Sequence, residues 1–118
     1  MSGYTIYHNP RCSKSRQTLA LLEENGIQPE VVLYLETPPD AATLKTLVSQ
    51  LGLANAHDLL RTRESEYKEA GLGKDSSDAA IIKAMARYPK LIERPIVVKG
   101  RKAVLGRPPE NVLALIKE

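Results

Sequence analysis

A chain of 118 residues, 42% of them hydrophobic, is the size of one domain with one modest core, which excludes wholesale disorder. It has neither Trp nor Phe, so that core is aliphatic with some Tyr. Its 17 Lys and Arg against 14 Asp and Glu leave a net charge of +3, too balanced to argue for a nucleic-acid partner by charge alone.

Thr5-Ile6-Tyr7, within the apolar run from Tyr4, reads as a short buried strand. Ser13 to Glu24 carries Leu19, Leu21 and Leu22 at helical spacing and stops at Asn25-Gly26. Glu30 to Leu35 holds Val31, Val32 and Leu33 in a row, the pattern of a strand covered on both faces. Strand, helix, strand at this spacing predicts a parallel βαβ unit. Thr37-Pro38-Pro39-Asp40 is a helix-start signal, a hydroxyl followed by prolines of a first turn and an acid. Leu44, Leu47, Val48 and Leu51 then repeat at the helical period, and Gly52 closes the segment. Short helical pieces are expected at Ala56 to Leu60 and Glu64 to Ala70. A further helix, Asp78 to Tyr88, is expected to bury Ile81, Ile82 and Met85 and to stop at Pro89.

Pro95 to Lys99 reads as a third strand, turning at Gly100-Arg101 into Ala103-Val104-Leu105. Pro108-Pro109-Glu110 opens a last helix with Val112, Leu113, Leu115 and Ile116. The fold class is therefore α/β, a four-stranded mixed sheet with helices on its faces, built as βαβ, a helical insert at about 38–90, then ββα. A single domain over 1–118 is expected.

Cys12 is the single cysteine, so it has no internal disulfide partner. It lies in His8-Asn9-Pro10-Arg11-Cys12-Ser13-Lys14-Ser15-Arg16, between a strand and a helix. Unpaired N–H groups at a helix start, together with Arg11, Lys14, Arg16 and a protonated His8, favour a thiolate there. Ser13 and Ser15 can donate hydrogen bonds to the sulfur. A cysteine that merely packs is the bland alternative, and polar neighbours on both sides argue against it. His8 has two roles open to it, tuning Cys12 or bonding a loop carbonyl.

Three arginines complete the candidate site. Arg94 and Arg107 each precede a proline, and in a hairpin they face each other at its open end. Either Arg-Pro bond suits a tight turn, and Arg94-Pro95 is a candidate cis bond. Arg61 follows the apolar Leu59-Leu60 and points inward in this reading. Guanidinium groups are the preferred partners for bidentate contact with oxyanions. The Cys-x5-Arg loop is absent because position 18 is Thr, and no Gly-rich phosphate loop occurs. One cysteine, His8 and the distant His57 make no convincing metal set, and His57 is assigned to a surface or capping role.

Taken together, Tyr7-His8-Asn9-Pro10-x-Cys12-x-x-Ser15-Arg16, Tyr34-Leu35-Glu36-Thr37-Pro38-Pro39, Leu59-Leu60-Arg61, Arg94-Pro95-Ile96-Val97-Val98 and Arg107-Pro108 resemble the glutaredoxin-dependent arsenate reductase family over essentially the whole chain. The resemblance implies a thioredoxin-like fold with a helical insert and reduction of arsenate to arsenite. It implies Cys12 as nucleophile, with Ser15 beside it, and His8 as the group that lowers the cysteine pKa. Arg61, Arg94 and Arg107 are its oxyanion-binding arginines. It also implies glutathione as co-substrate and glutaredoxin as protein partner, with no bound cofactor. Two features depart from the pattern. Arg11 and Lys14 stand where some relatives have small residues, which makes the loop more basic and bears on substrate preference. The chain also ends eleven residues after Arg107, without the longer C-terminal tail of larger members.

Reducing arsenate takes two electrons, so one thiol needs a second sulfur from outside. A same-fold enzyme acting on another oxyanion or on glutathione mixed disulfides is the alternative. A regulatory module that contacts RNA polymerase through a Cys-x-x-Cys switch is disfavoured, because the fourth position is Ser15. With no basic-then-apolar leader at the N-terminus and no apolar run near the roughly 20 residues that span a bilayer, a cytoplasmic monomer without a membrane partner is expected.

Overall fold

The computed structural model describes residues 3–117. The chain forms two compact units, one made of residues up to Thr37 together with Arg94 onward, the other of Pro38–Glu93.

The first unit is a four-stranded sheet. Its strands are β1 (Tyr4–Tyr7), β2 (Glu30–Val32), β3 (Ile96–Lys99) and β4 (Lys102–Leu105), in the order β2-β1-β3-β4. β1 runs parallel to β2 and antiparallel to β3, and β3 is antiparallel to β4, so the sheet is mixed as expected. Helix α1 (Ser13–Glu24) crosses from β1 to β2. One face carries Tyr4, Ile6 and Val97, which share a core with Leu22 of α1, Ile27, and Val112 and Leu115 of the C-terminal segment. Burying aliphatic side chains at about 25 cal/mol per Å² is what holds this helical layer on the sheet. Gly100, at φ +62°, makes the two-residue turn between Lys99 and Lys102.

Two expectations for this unit are corrected. The second strand has three residues rather than six and is not covered on both faces: Val31 is 44%, Leu33 36% and Leu35 37% exposed. β2 is an edge strand, and beyond Val32 the chain turns, with the N–H groups of Glu36 and Thr37 both donating to Leu33 O. An apolar run does not reveal whether a strand lies at an edge, where short strands are favoured. The last helix is also divided. Pro109–Val112 is a 3₁₀ turn, and only Leu113–Ile116 (α5) is α-helical.

The second unit is helical: α2 (Ala41–Gln50), a 3₁₀ turn (Ala56–Leu59), α3 (Glu66–Glu69), α4 (Asp78–Arg87) and a 3₁₀ turn (Pro89–Leu91). The start of α2 differs from expectation. Asp40, not Thr37, is the N-cap, its carboxylate accepting the Thr43 N–H at 2.8 Å, so both prolines lie before the helix. That bond holds the Asp40 carboxyl below its usual pKa. Leu44 and Leu47 of α2 and Ile81 and Met85 of α4 are buried; Ile82, expected in the core, is half-buried, and Ala84 takes its place. Among the described residues no helix is long and apolar enough to cross a membrane.

Candidate active site

β1 ends at Tyr7, and the His8 N–H still donates to Val32 O of the neighbouring strand at 2.9 Å. Asn9 then folds the chain back. Its side-chain oxygen accepts the Arg11 N–H and its carbonyl the Cys12 N–H, both at 3.0 Å. This turn delivers Cys12 to the N-cap of α1, in extended conformation (φ −96°, ψ 122°). The Cys12 carbonyl accepts the first helical bond, from Arg16 N, while the Cys12 side chain makes no capping bond. The sulfur therefore lies where the free N–H groups of the first turn carry partial positive charge. No acidic residue occupies that turn, and Cys12 is only 9% exposed.

The open end of the β3–β4 hairpin brings the second group of residues to the same place. Ile96 pairs with Leu105, and the Gly106 N–H donates to Pro95 O at 2.9 Å, so Arg94 and Arg107 are neighbours. Arg107 Nη1 donates to Arg94 O at 3.1 Å and lies 4.0 Å from Cys12 Sγ. The Arg94-Pro95 and Arg107-Pro108 bonds are both cis. Arg94 is half-buried; its Nε and Nη1 are buried and make no hydrogen bond, although other atoms of the residue are engaged.

His8 and Ser15 are buried together, with Nδ1 and Oγ 2.6 Å apart. Ser15 Oγ also accepts the Asn9 N–H at 3.0 Å. Ser15 thus ties the turn to the helix instead of donating to the sulfur, and the partner of His8 is a hydroxyl, not a loop carbonyl. Burial, and secondarily the Arg16 guanidinium, push the His8 pKa below its usual 6.5. The imidazole is neutral at pH 7, contrary to the expectation that it adds a positive charge. Arg16 is itself fixed by donation from Nη1 to Pro10 O at 2.8 Å.

Arg61 belongs to the second unit. Its guanidinium is held by Glu64 at 3.5 Å and Glu93 at 3.8 Å, and its N–H donates to Leu91 O. His57 Nε2 meets Ser76 O at 3.2 Å, a structural bond within that unit.

The chain is similar to known proteins. The ArsC family model matches residues 7–115. The chain belongs to the ArsC family. The chain is 61% identical over 112 residues to an uncharacterized protein of Escherichia coli K12, covering 94% of each. It is 52% identical over 117 residues to an arsenate reductase of Neisseria meningitidis, covering 98% of this chain and 100% of that one. The solved structure of an arsenate reductase from Vibrio cholerae superposes with a TM-score of 0.90 at 55% identity, covering 94% of this chain and 95% of that one. The expected thioredoxin-like α/β fold is the fold of these ArsC-family structures.

Several supports of this ArsC-family site escape a reading of sequence spacing. Thr18 Oγ1, on α1, donates to Lys14 O and approaches Gly106 O at 3.4 Å. A Cβ at Gly106 would run into Thr18 Oγ1 and lie 2.8 Å from Pro95 Cγ, so helix and hairpin meet through a position that tolerates no side chain. Asn111 Nδ2 donates to both Leu105 O and Arg107 O at 3.1 Å, fixing the backbone that carries Arg107. The carboxylates around Arg61 also went unforeseen. The one legible signal was the glycine directly before Arg107.

Proposed function

We propose that this ArsC-family protein is an arsenate reductase using glutathione and glutaredoxin. The Cys12 sulfur, as thiolate, attacks arsenic(V); a Cys12 S–As bond forms and an arsenate oxygen leaves as water. Glutathione then displaces a second oxygen as water. The glutaredoxin thiolate attacks the glutathione sulfur, and the S–As electron pair stays on arsenic, which becomes arsenic(III). Hydrolysis of the remaining Cys12 S–As bond releases arsenite and restores the thiol. Two external thiols end as one disulfide, which balances the two electrons arsenic gains.

In this mechanism Arg94 and Arg107 neutralise the oxyanion and the charge that develops on it, and Arg61 is the third guanidinium, carried over from the family resemblance. His8 is uncharged, so its part is to hold the turn through Ser15 rather than to supply positive charge. The chemistry belongs in the reducing cytoplasm, where thiols are kept available. The observation that carries the proposal is the 4.0 Å approach of the Arg107 guanidinium to the Cys12 sulfur. The arsenate reductases among its relatives supply the substrate. The test is NADPH consumption with arsenate, glutathione, glutathione reductase and glutaredoxin, each omitted in turn. Turnover that needs all of them is expected; no turnover by folded protein would redirect the site to another oxyanion or to glutathione mixed disulfides.

A further inference from the structure

The cations around Cys12 fall into two sets. Arg16 and Arg107 are braced, Arg16 on Pro10 O and Arg107 on Arg94 O, and Arg94 is half-buried. Arg11 and Lys14, one before and two after Cys12, are exposed, and their side chains form no ion pair or hydrogen bond among the described residues. Lys14 also sits in the first turn of α1, where no acid offsets it and where the helix dipole disfavours a cation. The arrangement gives local helix stability no benefit. It does leave two exposed positive charges, one on each side of Cys12 in the sequence, next to a sulfur that, in the reaction proposed above, an outside thiol must reach.

We propose that Arg11 and Lys14 select the incoming thiol, favouring a low-molecular-weight thiol that carries carboxylates over a neutral or cationic one. The proposal rests on that reaction for its biological setting. Its physical content is separate: attraction between exposed charges raises the encounter rate and is weakened by salt. Charge on both flanks suits a flexible dicarboxylate, whose sulfur is brought in between.

The test needs no arsenate. Cys12 is converted with 2,2′-dithiodipyridine to its mixed disulfide with thiopyridine. A thiolate RS⁻ then attacks the Cys12 sulfur, the Cys12–thiopyridine S–S bond breaks, a Cys12–S–SR bond forms, and thiopyridone leaves and is followed by absorbance. Rate constants, each referred to thiolate concentration, are compared for glutathione, 3-mercaptopropionate, 2-mercaptoethanol and cysteamine. In the parent, both carboxylate thiols are expected to outrun 2-mercaptoethanol, and the advantage should shrink as NaCl rises from 20 to 500 mM, roughly a change from beyond 20 Å to a few ångströms in screening length. Arg11→Ala/Lys14→Ala is expected to cut the ratio of glutathione to 2-mercaptoethanol rates about tenfold and to weaken its salt dependence, the remainder belonging to Arg16 and Arg107. Arg11→Glu/Lys14→Glu should reverse the order in favour of cysteamine. Ratios that stay at the parent value in both variants, or equal slowing of all four thiols, overturn the proposal. The expected preference in the parent and its loss in the variants, without arsenate turnover in the coupled assay, would instead sink the arsenate reaction and leave thiol selection standing.

Discussion

Arg107 Nη1 lies 4.0 Å from Cys12 Sγ, although 95 positions of chain separate the two residues. The strand register that puts Ile96 opposite Leu105 places Arg107 there, and its bond to Arg94 O holds it. In the proposed reaction, a cation so placed would offset the charge of an oxyanion held at the sulfur.

Cys12→Ser is expected to abolish glutathione-dependent arsenate turnover while leaving the circular dichroism spectrum and melting behaviour close to the parent's. A hydroxyl fits the space of the thiol but is far less nucleophilic near neutral pH. Substantial coupled turnover by this variant would falsify the assignment of Cys12 as nucleophile.

Arg107→Ala is expected to lower kcat/KM for arsenate about ten- to a hundredfold, since a charge-assisted hydrogen bond contributes about 1.5–3 kcal/mol. Arg94→Ala should act in the same direction. Arg107→Lys keeps the charge but not the planar fork, so it should recover only part of the loss. Steady-state kinetics over a range of arsenate concentrations decide this, and parent-like values for both alanine variants would remove the hairpin from substrate binding.

Gly106→Ala tests the packing beneath that hairpin. The added methyl meets Thr18 Oγ1 and Pro95 Cγ, and overpacking of this kind costs about 1–3 kcal/mol. The melting temperature should fall by several degrees, and arsenate KM should rise because the next residue is Arg107. Adding Thr18→Ala vacates the space, so the double variant should be more stable than the two single effects added together. Strict additivity would show that the two positions do not press on each other.

Much of this was legible because local chemistry and tertiary structure agree. Cys12 falls at a helix start because the Asn9-Pro10 turn stops β1, and Gly100-Arg101 forces the hairpin that joins Arg94 to Arg107. The Leu44-Leu47 and Ile81-Met85 spacings likewise mark faces that are buried. What could not be read was decided by neighbours distant in sequence. Val31, Leu33 and Leu35 look like core until the strand order makes β2 an edge. His8 looks like a cation until burial beside Ser15 makes it neutral, and nothing in the spacing pairs Arg61 with Glu93.

His8 makes a prediction about pH whose sign follows from its lowered pKa. Above about pH 6.5 the imidazole is neutral in both folded and unfolded chains, and stability does not depend on it. Below that value the unfolded chain takes up a proton, while the folded chain, with His8 buried near Arg16, resists it. The unfolded state then binds more protons, so stability falls as pH drops from 6.5 until the folded imidazole also titrates. The Asp40 cap acts in the same direction but only below its usual carboxyl range, so the two effects separate on the pH axis. Urea unfolding between pH 7.5 and 5 should show the decline in the parent and a flatter profile in His8→Gln. Arg16→Gln, by removing the repelling charge, should raise the His8 pKa measured by NMR titration, so that the decline is smaller and ends at a higher pH than in the parent. A parent whose stability stays constant over this window would mean that the imidazole gains its proton as easily in the folded protein as in water, and the His8–Ser15 contact could not then be the buried, neutral brace of the Cys12 turn.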